Sequence, residues 1–251
     1  MLGKKHLLHL YSKKSMKDFV FPKVLLAAPQ HDSKKYSWKE WLYTVKNLTY
    51  PNYEVFLAEN SEDDSFAKEI EKEGITVKRV KNDKGVMYRL ADAHNACRTY
   101  ALKNDFDYLF HLETDVIPPL DVIERLLNHG KLIVSGCYDI WHGKIRKAMV
   151  QLDDDFDRSI RAYRTVTFAD EQEPLLFNGH LRRVYHAGIG CILISKKVLE
   201  KVTFRYIEQQ GMSADTWFAN DCYKYDIPIY LDTTIQCEHW NFNWLAHKTE
   251  I

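Results

Sequence analysis

The sequence predicts an α/β domain with a mostly parallel central sheet flanked by helices. From residue 24 onward, short apolar runs alternate with amphipathic helical stripes. Regular alternation of this kind argues for βαβ units whose helices cover both faces of one sheet. The chain has 251 residues, 45% of them hydrophobic, which suits a single sizeable core. No internal repeat, low-complexity tract or linker interrupts it.

Val24-Leu25-Leu26-Ala27-Ala28 reads as a buried strand stopped by Pro29. Trp38, Trp41, Leu42, Val45 and Leu48 follow at helical spacing, and Tyr50-Pro51-Asn52 ends that pattern. Residues 53–58 form a second strand, which runs into the polar turn 59–64. A helix at 65–73, closed by Gly74, leads to a third strand at 76–80. The stripe Leu90, Ala93, Cys97, Tyr100 and Ala101 precedes a strand at 108–112, which ends at Glu113-Thr114-Asp115 and Pro118-Pro119.

Beyond residue 120 the pattern loosens. A helix is expected at 121–128 and strands at 131–136, 190–195 and 229–231. Further helices are expected from Lys196 and at 215–225. Residues 152–183 carry charge with little periodicity and read as a long surface excursion, the length of a lid or binding loop.

Lys+Arg and Asp+Glu both number 35, so the chain lacks the basic excess expected of a polynucleotide-binding protein. Five scattered cysteines without a C-x-x-C pair fit buried, reduced thiols and a cytoplasmic setting. No run of 18 apolar residues suggests a transmembrane span. Residues 1–21 read as a basic N-terminal extension, with peripheral membrane contact as the alternative.

Ligands in such sheets collect at the carboxyl ends of the strands. Glu113 and Asp115, two apart at a strand end, present their carboxylates on one side, as oxygen-seeking divalent cations require. Ser213-Ala214-Asp215-Thr216-Trp217-Phe218 opens a helix, where Ser213 or Asp215 could also be a simple cap. Cys237-Glu238-His239-Trp240 follows the closing strand. Ala148-Met149-Val150-Gln151-Leu152 reads as a strand, and the run Asp153-Asp154-Asp155-Phe156-Asp157 that follows it is a rival metal site, though a charge run is usually a solvated loop.

Taken in order, these segments resemble the GT-A glycosyltransferases, in particular the family 2-like inverting enzymes. Leu112-Glu113-Thr114-Asp115-Val116-Ile117-Pro118-Pro119 is similar to the family's aspartate motif, and Ala93-His94-Asn95 through Phe106-Asp107-Tyr108 to its lead-in. Gly188 to Leu199 follows its G-x-G segment, Ala214 to Phe218 its E-D-x-x-F, and Ile235 to His239 its V-x-C-x-H.

The resemblance implies a single GT-A (Rossmann-like) domain over 22–251. Residues 22–120 would bind nucleotide and 121–251 the acceptor. It implies a metal-dependent, inverting transfer from a UDP- or GDP-sugar to a glycan or other hydroxyl acceptor. Pro29, Glu59 and Asn60 would face base and ribose. Glu113, Asp115 and His239 would hold Mn²⁺ or Mg²⁺, acting as a Lewis acid on the leaving diphosphate.

Asp215 would take the acceptor's proton, with partial burial raising its pKa. Three departures stand out: Glu113 for the usual aspartate, Ala214 for the first acid of E-D, and His94 where arginine is common. Arg89 or Arg98 would compensate, beside Asn95 on the same helix. Residues 152–183, Trp240, Phe242 and Trp244 are the expected acceptor contacts. The alternatives are a non-catalytic nucleotide-sugar or carbohydrate binder, and a nucleotidyltransferase. The second usually carries a glycine-rich phosphate loop, which Leu26-Ala27-Ala28-Pro29-Gln30 lacks.

Overall fold

A computed structural model of the chain describes residues 20–81, 85–142, 145–157, 162–167 and 179–240. Nearly all of the N-terminal extension, together with Phe242 and Trp244, lies outside the described residues.

The core is a sheet of eight strands. In chain order these are β1 (Val24–Gln30), β2 (Tyr53–Glu59), β3 (Thr76–Arg79), β4 (Tyr108–Leu112), β6 (Ile133–Cys137), β10 (Leu181–Val184), β12 (Cys191–Ser195) and β13 (Ile229–Gln236). Across the sheet they run β10-β13-β6-β12-β4-β1-β2-β3. The pairs β1–β2, β1–β4, β2–β3 and β6–β13 are parallel, while β12 is antiparallel to both neighbours and β10 to β13.

The helices are α1 (Trp38–Lys46), α2 (Ser65–Lys72), α3 (Val86–Lys103), α4 (Val122–Asn128), α5 (Lys196–Leu199) and α6 (Ala214–Lys224). Alternate residues of β1 belong to different cores, as the two-residue pleat requires. Leu25 and Ala27 pack with Ala93, Ala96 and Cys97 of α3 and Phe218 of α6. Val24, Leu26 and Ala28 pack with Trp38 and Trp41 of α1, Phe66 of α2 and Ile123 of α4. Both faces are therefore covered, and every residue of β1 is buried.

The strand does not stop at Pro29. β4 pairs with β1 only as far as Ala27, while β2 continues to Gln30, so proline's missing N–H falls where one edge is already unpaired.

The expected excursion at 152–183 is corrected in part. A second sheet runs β11 (His186–Ala187), β8 (Ile145–Asp157), β7 (Asp139–His142), with β9 (Ala162–Thr167) also paired to β8. The backbone of the acidic run 153–157 is thus strand, because ladder hydrogen bonds need no apolar side chains. A short ribbon of β5 (Val116–Ile117) and β14 (Glu238–His239) completes the fold. All five cysteines are buried and none forms a disulfide. No helix among the described residues is long and apolar enough to cross a membrane.

Candidate active site

In the order β4-β1-β2-β3 the chain leaves β1 in one direction and later returns on its other side at β4. A crevice opens at the carboxyl ends of two such strands, and ligands bind there in open α/β sheets. Gln30 ends β1, and Glu113-Thr114-Asp115 follows β4. The two strand ends are tied directly: the Thr114 hydroxyl donates to Gln30 Oε1 at 2.7 Å, and the His31 N–H donates to the same oxygen at 3.1 Å. Gln30 is 1% exposed, and its Nε2 meets no partner among the described residues. A buried amide donor without an acceptor costs stability, so this NH₂ group marks a place where a ligand oxygen would be welcome.

After β1 the chain makes one tight turn, Asp32–Lys34, fixed from several sides. The Asp32 N–H donates to Ser61 Oγ at 2.8 Å, Ser37 Oγ to the Lys34 carbonyl at 3.0 Å, and the Ser33 N–H to His31 Nδ1 at 3.1 Å. The turn delivers Lys34 between the two acids. Its Nζ lies 3.1 Å from Glu113 Oε2 and 2.8 Å from Asp115 Oδ1, and the Tyr36 hydroxyl donates to Asp115 Oδ2 at 3.2 Å. Burial would raise the Asp115 pKa, but the Lys34 ammonium, and then His239, hold it well below the usual carboxylate range. The same carboxylates keep Lys34 protonated, its pKa raised despite burial.

The β5–β14 ribbon brings His239 to this cluster. Its Nδ1 donates to the Asp139 carbonyl at 2.6 Å, which points Nε2 at Asp115 Oδ2, 3.6 Å away. Asp115 and His239 thus converge, whereas Glu113 turns to Lys34. As a three-ligand set the residues expected to hold Mn²⁺ or Mg²⁺ do not fit, because an ammonium stands where Glu113 and Asp115 meet. Among the described residues no group of three His, Cys, Asp or Glu side chains is placed to hold a metal.

Asp215 sits in the first turn of α6, where the helix dipole favours an anion. Its Oδ1 accepts from the Ser213 hydroxyl and, at 2.9 Å, from the Thr216 N–H. Its Oδ2 lies 3.5 Å from Nε2 of the buried His186. The expectation that burial raises its pKa is overturned. Burial does push upward, but His186, Ser213 and the Thr216 amide together bring the value well below the ordinary one.

Tyr138 feels the charges of both acidic centres. Burial drives its hydroxyl well above the ordinary range, and the charges of Glu113, Asp215 and Asp115 push the same way. The Tyr138 oxygen accepts the Gly190 N–H at 2.9 Å. A Cβ at Gly188 would overlap that hydroxyl, and one at Gly190 would lie 2.7 Å from the ring carbon bearing it. The G-x-G pattern is therefore a packing demand of Tyr138.

Beneath the site, His111 Nδ1 donates to the Ile189 carbonyl at 2.6 Å. Its Nε2 must then accept from His94 Nδ1, 2.8 Å away. Burial lowers the His111 pKa to about 4 and holds His94 well below its usual value, so both rings are neutral at pH 7.

The other expected residues divide. Pro29 lies in β1 at the crevice. Glu59 is fully buried and its carboxylate is engaged by the Ser61 N–H and by Arg79, which makes it a brace for the 59–62 turn. The Asn60 backbone N–H donates to the Gln30 carbonyl at 2.9 Å, placing Asn60 at the same edge. Asn95 is corrected: its side-chain amide clasps the backbone N–H and carbonyl of Phe204, away from a ligand role. Arg98 binds the carbonyls of Leu199 and Val202. Arg89 lies half-buried in α3. The sequence reading missed Gln30, Lys34, Tyr138 and His186, because no local pattern distinguishes them from surface or core residues.

No family model matches the chain, and no curated protein does either. Among solved structures, A197 from STIV is 17% identical over 87% of this chain and 85% of that one, with a TM-score of 0.47. GalNAc-T7 with UDP, GalNAc and Mn²⁺ is 10% identical over 88% of this chain, with a TM-score of 0.58. The fold is GT-A-like. The chain spans 44% of the GalNAc-T7 chain, and at 10% identity the likeness is one of fold.

Proposed function

We propose that the protein transfers a sugar from a nucleoside diphosphate sugar, of the UDP or GDP kind, to a hydroxyl acceptor. The observation that carries this reading is the charged cluster of Lys34, Glu113 and Asp115 at the adjoining carboxyl ends of β1 and β4, the crevice where ligands bind in open α/β sheets. Support for a nucleotide comes from the GT-A-like fold shared with GalNAc-T7, whose structure holds UDP, GalNAc and Mn²⁺.

Residues 22–120 supply the donor side. Pro29, Asn60 and the Gln30 NH₂ group, which meets no partner among the described residues, line the edge that would meet base and ribose, with Arg89 on α3. The cluster of Lys34, Glu113, Asp115 and His239 faces the diphosphate, and residues 121–251 supply the acceptor side. A divalent cation, if one binds, would be held by Asp115 and His239 with substrate oxygens completing its shell.

Asp215 faces the acceptor. The hydroxyl oxygen bonds to the anomeric carbon from the side opposite the diphosphate, and the old carbon–oxygen bond leaves with its electron pair on phosphate. The configuration inverts. Because Asp215 is a weak base, it orients the hydroxyl first and takes its proton late, when the forming bond has made that proton acidic.

The test is turnover of UDP- and GDP-sugars by wild type and by Asp215→Asn. Release of sugar from a donor, to water or acceptor, in wild type and its loss in the variant are expected. A wild type that binds nucleotide yet never turns over donor would mark a non-catalytic binder, a reading to which Ala214 in place of an acid also points.

A further inference from the structure

We propose that Lys34 is the protein's own counter-ion for the donor diphosphate, filling the place a divalent metal takes between the two acids. The inference rests on the nucleotide-sugar reading and deepens it: the ligand is a diphosphate bound without obligatory metal.

The geometry is that of a built site. Lys34 Nζ sits at the one point where Glu113 Oε2 and Asp115 Oδ1 converge, 3.1 and 2.8 Å from them. The other Asp115 oxygen is engaged by Tyr36 and approached by His239. The lysine is not a long arm that happens to swing in. Its backbone is locked by Ser37 on its own carbonyl and by the Asp32–Ser61 bond just before it. The neighbouring Lys35 goes the other way and pairs with Glu69 at the surface.

An ammonium has three donors. Two meet the carboxylates, and the third meets no acceptor among the described residues. The Lys34 side chain is 21% exposed and that of Glu113 25%, so the cluster opens to a ligand, whereas Asp115 at 5% is sealed beneath. A diphosphate oxygen approaching from the open side would complete the ammonium's donor set, and the two carboxylates behind keep the lysine charged and aimed. A metal ion seated between the two acids would first have to break both ion pairs.

The experiment titrates the full-length protein with UDP and with GDP by calorimetry, once in EDTA and once in Mn²⁺. Wild type should bind one of them with affinities that agree within about twofold between the two conditions. Lys34→Met should lose about tenfold to a hundredfold in EDTA, the worth of a charge-assisted hydrogen bond, and recover part of it in Mn²⁺ as the freed acids take the ion.

The double variant Lys34→Met with Glu113→Gln removes the stranded charge and keeps the test valid if the single variant fails to fold. Binding by wild type only in Mn²⁺, or variants that bind nucleotide in EDTA as wild type does, would overturn the proposal and leave the donor reading standing. Absence of binding by wild type in both conditions overturns the donor reading, and this inference with it.

Discussion

Asp115 and Asp215 are both buried carboxylates with pKa values pushed down against the cost of burial, yet they are built by opposite means. Asp115 is stabilised chiefly by an ammonium, with a tyrosine hydroxyl and an imidazole beside it. Asp215 has no ammonium or guanidinium hydrogen-bonded to it among the described residues; a hydroxyl, a helix N–H and a histidine do the work. A carboxylate locked to a cation cannot easily accept a proton, but it can anchor a positive charge for phosphate. One whose Oδ1 is held by a hydroxyl and a helix N–H keeps the other oxygen, beside His186, for a hydroxyl to approach. On the proposed function, donor work falls to the first and acceptor work to the second.

The sharpest way to break that contrast is kinetic. Asp215→Asn should lower turnover by about a hundredfold to ten-thousandfold, the usual worth of a positioned proton acceptor, and leave the nucleotide dissociation constant unchanged. Equal loss in binding and turnover would erase the division of labour.

Asp115→Asn should show the reverse signature. Nucleotide binding fails, and urea unfolding should reveal a loss of about 3 kcal/mol, because Lys34 is left with a single partner. Retained binding in a stable Asp115→Asn variant would remove it from the donor site.

Acid unfolding separates these acids from the histidines beneath them. Both acids have lowered folded-state values, so their contribution is complete above about pH 4 and is lost only as pH falls below it. His111 acts earlier. Its folded value of about 4 lies below the unfolded value, so between about pH 6.5 and 4 the unfolded chain binds a proton that the fold refuses. Stability should fall across that window, His111 contributing on the order of 3 kcal/mol and His94 adding to it, and His111→Gln should remove the His111 share. A flat wild-type profile there would show that the ring takes its proton inside the fold.

The smallest effect is expected at the glycine packed on Tyr138. Gly188→Ala presses a methyl on the Tyr138 hydroxyl and should cost about 1–3 kcal/mol by chemical denaturation, with recovery when Tyr138 is also made leucine. Unchanged stability would mean that Tyr138 can move aside.

The regular half of the fold was legible because its signals are local. Val24 to Ala28 is a continuous apolar run because β1 is covered on both faces, and Trp38, Trp41 and Val45 repeat at helical spacing because α1 buries one face only. The middle of β8, Ala148 to Leu152, was legible as an apolar run, but β9 and the end of β8 were not: that end reads Asp153-Asp154-Asp155-Phe156-Asp157, charged where a half-buried strand would alternate. Glu59 and Asn95 looked like ligand contacts from their place in the sequence. Arg79 and the Phe204 backbone claim their polar atoms, and no spacing rule foresees a partner 20 or 109 residues away.

The sequence by itself determined the alternation of elements, the coverage of both sheet faces and the arrival of Glu113, Asp115 and Asp215 at element ends. Those properties follow from periodicity and turn chemistry within a dozen residues. Only the tertiary structure decided which charges meet. Lys34 reaches Asp115 across 81 positions of chain, and nothing near residue 34 distinguishes it from Lys35. Strand order, set by packing over the whole sheet, placed the ends of β1 and β4 side by side and so put the lysine between the acids.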